Sequence, residues 1–441
     1  MANSYLSRTP SGAGNRKTYT ISAWIKRSKL GSRQSILNNT DGSGQQGLYF
    51  DFYSDDSLAF LDYGNGAYET PRFETTRLFR DSSAWYHIVV AVDTTQATES
   101  NRFKLYVNGT QETAFDIANY PTQNADTRWN TTSAFEIGSY NGTGNYFEGY
   151  FSHFAFVDGQ ALAPTVFGET NSTSGIWKFK SPSGVTWGTN GFHLKFENSG
   201  AMGTDSSGNS NTFTVQGNLK QSLDTPSNVH ATMNPLVKSG NAFTNGNLTI
   251  TSNSGTSYQN SVSTLAVTKG KWYAECKLSN VSSVYPGVGI IDVSEKGAND
   301  GDNKGYFGSS DNPKGIQLYS GGFYSTGNNN NVSLTSNSTN DIIGIALDLD
   351  SATKNIKMYR NGTLITGTSV TPPDPDGGYA FGVTMNESAG SGAAAQWNFG
   401  NGFFGTTAIT SAGSNGNGSL FEYDVPSGYY ALNTKNINTY G

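Results

Sequence analysis

Apolar and polar residues alternate through Phe103-Lys104-Leu105-Tyr106-Val107 and again through Ile356-Lys357-Met358-Tyr359-Arg360, and each run leads into Asn-Gly, at Asn108-Gly109 and Asn361-Gly362. A period of two puts alternate side chains on one face of a strand, and Asn-Gly tolerates the positive φ of a tight hairpin turn. The residues around the two copies differ, so they predict two β-domains of separate kinds and not one duplicated unit. From Thr18 to about Phe167, short strand-like runs recur between clusters of Gly, Asn and Asp, the signature of an all-β sandwich. Tyr19 to Lys26 alternates cleanly, whereas Trp85 to Asp93 is apolar on both faces and predicts a central strand.

At 441 residues the chain is long enough for two or three cores. Charged residues make up 14%, well under the roughly 25% of ordinary soluble domains, and Gly, Asn, Ser, Thr and Tyr are abundant. Such a surface is polar through amides and hydroxyls and suits proteins that face the outside world. The net charge of −6 argues against a nucleic-acid binder, which needs clustered Lys and Arg. The single cysteine, Cys276, lies on one strand face with Trp272, Ala274 and Leu278 and reads as a small buried hydrophobe. No apolar run approaches the ~18 residues of a membrane span, and the start lacks the basic and apolar regions of a signal peptide. The expectation is a soluble product made in the cytoplasm, without membrane insertion.

Five phrases follow one another in the first third: Ile21-Ser22-Ala23-Trp24-Ile25-Lys26, Trp85-Tyr86-His87-Ile88-Val89, Leu105-Tyr106-Val107-Asn108-Gly109, Phe147-Glu148-Gly149-Tyr150-Phe151 and Gly159-Gln160-Ala161-Leu162. In this order they resemble a laminin G-like, concanavalin A-like lectin domain. Where that superfamily often carries an acid after Phe-x-Gly, this chain has Ser152 and His153. His153 reads as structural, since no second His or Cys stands at metal spacing. Phe192-His193-Leu194-Lys195-Phe196 and the loop from Asp205 to Asn211 look like the family's opening strand and loop displaced to the far end, so that a strand near 192–215 would complete the first domain at about residue 225. In that loop Asp205, Ser207, Asn209 and Asn211 alternate as oxygen donors of the type calcium takes, but only one is charged, which favours an Asx-stabilised turn. No cofactor is required by this reading; calcium stays open.

Residues 226–239 read as a linker. Beyond it, Gly270 to Glu275, Gly287 to Ile290, Asp341 to Asp348, Met358 to Gly362 and Trp397 to Gly400 follow in the order seen in SPRY domains, over residues 240–405. The resemblance implies a bent β-sandwich that binds proteins without a general catalytic apparatus. The expected fold class is therefore all-β, two antiparallel jelly-roll-like sandwiches in tandem, concanavalin A-like then SPRY-like. Residues 406–441 read as a Gly/Ser/Asn connector and an aromatic tail that either pairs back onto a sandwich or reaches a neighbour. A laminin G-like module joined to a SPRY-like one resembles virion-surface and tail-fibre proteins of tailed bacteriophages. That resemblance implies host attachment, other virion proteins as partners, and a homo-oligomer with a trimer as first guess.

Glycosidases on the concanavalin A-like fold need two or three carboxylates on one strand face, and no Glu-x-Asp-x-x-Glu spacing exists here. Asp348 and Asp350 read as turn formers. His87 has no Gly-x-Ser-x-Gly elbow with it. Phosphate loops, zinc spacings and dinucleotide fingerprints are absent from the sequence. The expectation is a non-enzymatic protein. Glycan contacts are expected in aromatic and amide-rich loops: Tyr140, Asn141, Asn145 and Tyr146 in one, Tyr63, Asn65 and Tyr68 in another, and Tyr319, Phe323, Tyr324 with the run 328–331 in a third. The first forty residues hold Arg8, Arg16, Lys17, Lys26, Arg27, Lys29 and Arg33 and no Asp or Glu. Arg8, Arg16 and Lys17 are candidates for docking on an acidic virion surface, against the plainer reading of a solvated strand face. The alternatives to adhesion are a purely structural cement and a polysaccharide-cleaving enzyme with an unusual carboxylate arrangement.

Overall fold

The computed structural model describes residues 3–42, 46–237, 239–253, 258–281, 286–302, 304–320, 322–325, 328–330, 334–386 and 392–441. Contacts divide the chain into two units, Met1–Gln221 and Ser222–Gly441. Each is built on antiparallel sheets, and helix among the described residues is confined to short segments such as Thr434–Tyr440.

In the first unit an eight-stranded sheet runs in the order Phe115–Asn119, Ala67–Leu78, Ser57–Gly64, Gly47–Phe52, Gln34–Thr40, Phe135–Ile137, Tyr5–Arg8, Thr214–Gln216. A six-stranded sheet holds Phe192–Leu194, Gly149–Asp158, Thr18–Arg27, Tyr86–Asp93, Phe103–Val107 and Thr110–Glu112. Alternation decides what lies between them. Ile21, Ala23 and Ile25 meet Phe50, Phe52, Phe60 and Phe73 in one core with Trp129 and Phe156. Phe192–Leu194 pairs with Phe154 to Phe156, and Thr214–Gln216 pairs with Tyr5 to Ser7, so residues far down the chain sit in these sheets.

The second unit places Ala242–Thr244, Thr249–Thr251, Ala394–Asn398, Lys271–Asn280, Ile342–Asp348, Asn355–Arg360 and Thr363–Leu364 side by side. Its second sheet joins Tyr258–Val267, Tyr379–Asn386, Gly287–Asp292, Gly315–Tyr319, Gly322–Ser325 and Asn328–Asn330. Trp272, Cys276, Trp397 and Phe381 lie in its core. Burial pushes the Cys276 thiol upward, which keeps it protonated and unreactive.

Both Asn-Gly turns take the left-handed conformation, with φ of +48° and +80° at Asn108-Gly109 and +47° and +78° at Asn361-Gly362. Their side chains also do the same job: Asn108 Oδ1 accepts the backbone N–H of His87, and Asn361 Oδ1 that of Ile342, each at 2.8 Å.

The described residues of segment 226–239, expected as a linker, are instead built into the second unit. Ala231 and Met233 belong to its core, and His230 Nδ1 lies 3.1 Å from the Phe399 carbonyl. The apolar residues among the polar ones decided this, because burying them stabilises more than leaving a free tether. The C-terminal aromatic stretch also folds back: Phe421, Val425 and Tyr429 pack on Tyr273 and Ala346, and Tyr430–Ala431 adds to Lys271–Asn280 as a parallel strand.

Candidate functional site: an aromatic cavity on the first sandwich

The strand Gly47–Phe52 buries Leu48, Phe50 and Phe52 in the core, which sends Tyr49 and Asp51 to the opposite face of the sheet. Register then places Leu61 beside Tyr49 and Ala59 beside Asp51. On this face lies a cavity of about 330 Å³ lined by Arg33, Tyr49, Leu61, Tyr63, Tyr68, Tyr140 and Asn145. That size falls in the range of small-ligand sites.

The rings support one another. Tyr140, from the loop after Phe135–Ile137, stacks on Tyr49 with centroids 5.6 Å apart. Tyr63 meets Tyr49 edge-on at 6.1 Å and Tyr68 edge-on at 5.6 Å. Arg33 lies 5.6 Å from the Tyr49 ring centre and 5.2 Å from that of Tyr53. Its Nη2 and Nε reach Asp51 Oδ2 at 2.6 and 2.8 Å, and Ser35 Oγ donates to Oδ1 at 2.6 Å. Burial pushes the Asp51 carboxyl upward, while the Arg33 guanidinium and the Ser35 hydroxyl pull it down. The Asn145 carbonyl accepts the Ser35 N–H at 2.7 Å, fixing the loop that brings Asn145 to the rim. Arginine and amide beside several aromatic faces can hydrogen-bond hydroxyls while apolar ring faces stack.

Of the sequence candidates, the structure brings together Tyr63 and Tyr68, which face each other on the paired strands Ser57–Gly64 and Ala67–Leu78, and Tyr140 and Asn145 from the loop after Phe135–Ile137. Three others serve the fold. Asn65 occupies a turn at φ +53° and donates to Glu69 Oε1 at 3.4 Å. Asn141 donates to the Gly42 carbonyl at 2.8 Å. Tyr146 donates its hydroxyl to the Gly142 carbonyl at 2.7 Å and faces a separate hollow of about 50 Å³ beside Tyr5. Arg33, Tyr49 and Leu61 are lining residues that loop-based reading missed. The signal for Tyr49 was its alternation against Leu48 and Phe50.

In the second unit, Phe323 is 0% exposed and belongs to the core, which removes it from any surface site, whereas Tyr319 and Tyr324 line a smaller cavity. Asn331 lies outside the described residues, as do the side chains of 328–330.

Around Asp205 the loop satisfies its own carboxylate. Oδ1 accepts the N–H groups of His193 and Ser207 at 2.9 and 2.8 Å, and Oδ2 accepts Asn211 N–H and Ser207 Oγ–H, both at 2.8 Å. Asn209 and Asn211 turn their amide nitrogens to the Gly191 carbonyl, at 2.9 and 2.8 Å. This donor arrangement is that of an Asx-stabilised turn. Arg8 donates to Asn211 Oδ1, and Arg16 donates to the Thr127 carbonyl at 2.8 Å, so both guanidinium groups serve the unit's own fold; Lys17 is half-buried. Arg27 departs from the solvated-face expectation most, being fully buried against Asp56.

His87 shows why a serine–histidine contact here is structural. Trp177 Nε1 donates to His87 Nδ1 at 2.9 Å, and an indole nitrogen can only donate. His87 Nε2 must therefore carry the hydrogen and donate to Ser22 Oγ at 2.9 Å, which leaves the hydroxyl unactivated. Burial lowers His87 to about 3; it also lowers His153 and His193 to about 4, with Lys195 adding to both and His193 to His153. Groups lowered in the folded state contribute stability that is present above the unfolded value near 6.5 and is lost as pH falls. The histidine share of the first unit's stability is expected to fall as pH drops below 6.5, with His87 accounting for about 1.4 kcal/mol by pH 5.5, while the Asp51 and Asp62 carboxyls, raised by burial, act in the opposite sense. Calorimetry of the full chain checks this as the difference in pH slope between the wild type and His87→Gln, and equal slopes from pH 7 to 4.5 would contradict it.

Residues 2–166 match the family model described as the concanavalin A-like lectin/glucanases superfamily, a span that includes every cavity residue from Arg33 to Asn145. Among solved structures the chain is similar to the SPRY domain of human HERC1, at 19% identity over 37% of this chain and 96% of that one, TM-score 0.30. It is also similar to a heptameric SAP-like pentraxin from Limulus polyphemus (15% identity, 42% and 82% covered, TM-score 0.29) and to the PSpry domain of TRIM65 (13%, 38% and 91%, TM-score 0.28). No curated protein sequence matches significantly. The fold is that of an all-β protein of two antiparallel sandwiches, the first of which matches the concanavalin A-like lectin and glucanase model over residues 2–166, a fold compatible with carbohydrate binding.

Proposed function

We propose that this protein is a non-catalytic adhesion protein that binds saccharide in the aromatic cavity of its first sandwich. The observation that carries the reading is the convergence of Tyr49, Tyr63, Tyr68 and Tyr140 with Arg33 and Asn145 around one hollow of about 330 Å³. Sugar rings present apolar C–H faces to aromatic rings and hydroxyls to amide and guanidinium groups. Asp51, the acid paired with the lining residue Arg33, is held by Arg33 and Ser35, which favours binding over hydrolysis. Display on a bacteriophage virion, as a tail-fibre, head-appendage or decoration subunit in a homo-oligomer, is supported by the low charge density and by the pairing of a laminin G-like with a SPRY-like module. Host-surface glycan and other virion proteins are the corresponding partners.

A glycan array identifies the saccharide, and calorimetric titration then measures it. Tyr140→Ala, which removes a loop ring from the stack on Tyr49, is expected to weaken binding by about tenfold, or roughly 1–1.5 kcal/mol. Unchanged affinity in Tyr140→Ala would move the site elsewhere, and release of reducing ends from the bound glycan would replace adhesion by hydrolysis. Immunogold labelling of phage particles tests the virion placement.

A further inference from the structure

The second sandwich carries a different kind of hollow on the outer face of its sheet. In the strand Gly315–Tyr319, Ile316 and Leu318 enter the core, so Gln317 and Tyr319 face outward; in Gly322–Ser325, Phe323 points in and Tyr324 out. The neighbouring strand Gly287–Asp292 buries Val288 and Ile290 and presents Gly287 and Gly289 on the same outer face, with Gly289 opposite Gln317. A Cβ at Gly287 would stand 2.2 Å from Gln317 Oε1, so glycine keeps the space in which that amide sits.

Tyr258, Tyr306, Tyr319 and Tyr324 surround Gln317 and enclose about 120 Å³. Tyr306 meets Tyr258 edge-on at 5.2 Å and Tyr324 at 5.4 Å, and Tyr319 meets Tyr324 at 6.1 Å. Gln317 is 1% exposed, and its Oε1 has no hydrogen-bond partner among the described residues. A buried carbonyl without a donor is costly, and this one lines a cavity.

Each feature favours positive charge. Aromatic faces carry negative quadrupole density, the carbonyl oxygen only accepts, and among the described residues no Lys, Arg or His lines the hollow. The second unit holds eleven Lys and Arg against fifteen Asp and Glu. The space is about a third of the first cavity's, suited to a cationic head group more than to a sugar ring. A quaternary ammonium would satisfy the rings but not the carbonyl, since it lacks an N–H.

We propose that this tyrosine cage binds an organic cation that retains an N–H donor, of the size of a lysine ammonium or arginine guanidinium head group, with the rings around the charge and Gln317 Oε1 accepting the hydrogen bond. The test is ligand-observed saturation-transfer NMR on the full chain with n-butylguanidinium, n-butylammonium, tetramethylammonium and methyl glucoside. Saturable binding of the guanidinium or the ammonium probe is expected, weakened at least tenfold by Tyr324→Ala and unchanged by Tyr140→Ala in the other sandwich. Gln317→Leu should weaken the N–H probes several-fold more than tetramethylammonium. A capped Gly-Arg-Gly peptide that binds more tightly than n-butylguanidinium assigns the cation to a partner protein, and equal affinity to a free amine; either upholds the cage. Absence of saturable binding by both N–H probes, wild-type affinity in Tyr324→Ala, or methyl glucoside as the ligand lost on Tyr324→Ala overturns it. The saccharide test of the first cavity is independent of all these outcomes.

Discussion

Asp56→Ala is expected to destabilise the first unit by roughly 3–5 kcal/mol. Arg27 is 0% exposed, and the chain that follows it turns back so that Asp56 can receive it: Arg27 Nη1 lies 3.0 Å from Asp56 Oδ1 and 2.8 Å from the Phe79 carbonyl. The guanidinium carbon sits 4.3 Å from the Phe52 ring centre, so the cation has aromatic surface on one side and a single carboxylate to balance it. Burial lowers the Arg27 pKa while Asp56 raises it, but a guanidinium does not shed its proton in a protein, and an unbalanced charge would remain. Asp56 also accepts the Gly31 N–H at 2.9 Å and Arg80 Nε at 3.2 Å, and adopts φ +74°, which alanine tolerates poorly. Calorimetry of the full chain should show the first transition lowered and the second unmoved. The double variant Arg27→Met with Asp56→Asn should cost less than Asp56→Ala, because it removes the stranded charge and keeps a residue that accepts positive φ. A loss under about 1 kcal/mol for Asp56→Ala would show that water reaches Arg27 and that the pair does not hold this part of the sheet.

Glu275→Ala is expected to release the C-terminal tail and to cost the second unit about 3 kcal/mol at pH 5. Glu275 is 0% exposed and lies on the strand face opposite Trp272, Ala274 and Cys276. Its oxygens accept the backbone N–H groups of Glu422 and Tyr423 at 2.9 and 3.0 Å, with Tyr273 Oη at 3.3 Å and Asn398 Nδ2 at 3.4 Å. Truncation orphans both backbone donors just where Phe421 packs edge-on against Tyr273 at 5.0 Å. Burial raises Glu275 to about 7, against the opposing pull of those hydrogen bonds. A group raised in the folded state contributes stability that is complete below its unfolded value near 4.5 and is lost as pH rises through 7. The wild type should therefore lose on the order of 3 kcal/mol from the second unit between pH 4.5 and 8, while Glu275→Gln, which cannot ionise, should show no such slope. The cost of Glu275→Ala accordingly shrinks at high pH. Limited proteolysis near residues 409–424 reads the tail directly: continued protection in Glu275→Ala, or a flat wild-type pH profile, would remove Glu275 from this role.

The strand patterns at Tyr19 to Lys26, Phe103 to Val107 and Ile356 to Arg360 made the sheets legible, since each inward residue there repeats at a period of two and the Asn-Gly turns fix direction. The site was half legible. Tyr63, Tyr68, Tyr140 and Asn145 were visible as aromatic and amide-rich loop residues, but Tyr49 and Leu61 lie mid-strand, where local pattern marks a face without saying whether that face meets water, another sheet or a loop. Arg33 and Arg27 looked alike as basic residues near the start. Only pairing with Asp51 in one case and Asp56 in the other, both contributed by strands or turns further along, separated a cavity-lining cation from a buried one. Phe323 and Tyr324 are neighbours in the chain and opposite in environment because a strand alternates.

From its sequence this chain is committed to two antiparallel β-proteins with polar, weakly charged surfaces, because alternation, turn residues and composition act over a few residues at a time. Tertiary structure decided the rest: that residues 226–237 and the aromatic tail belong to the second unit, and that tyrosines from separate segments enclose two hollows. Those outcomes depend on which distant strands become neighbours, and that choice is set by the summed burial of all faces at once.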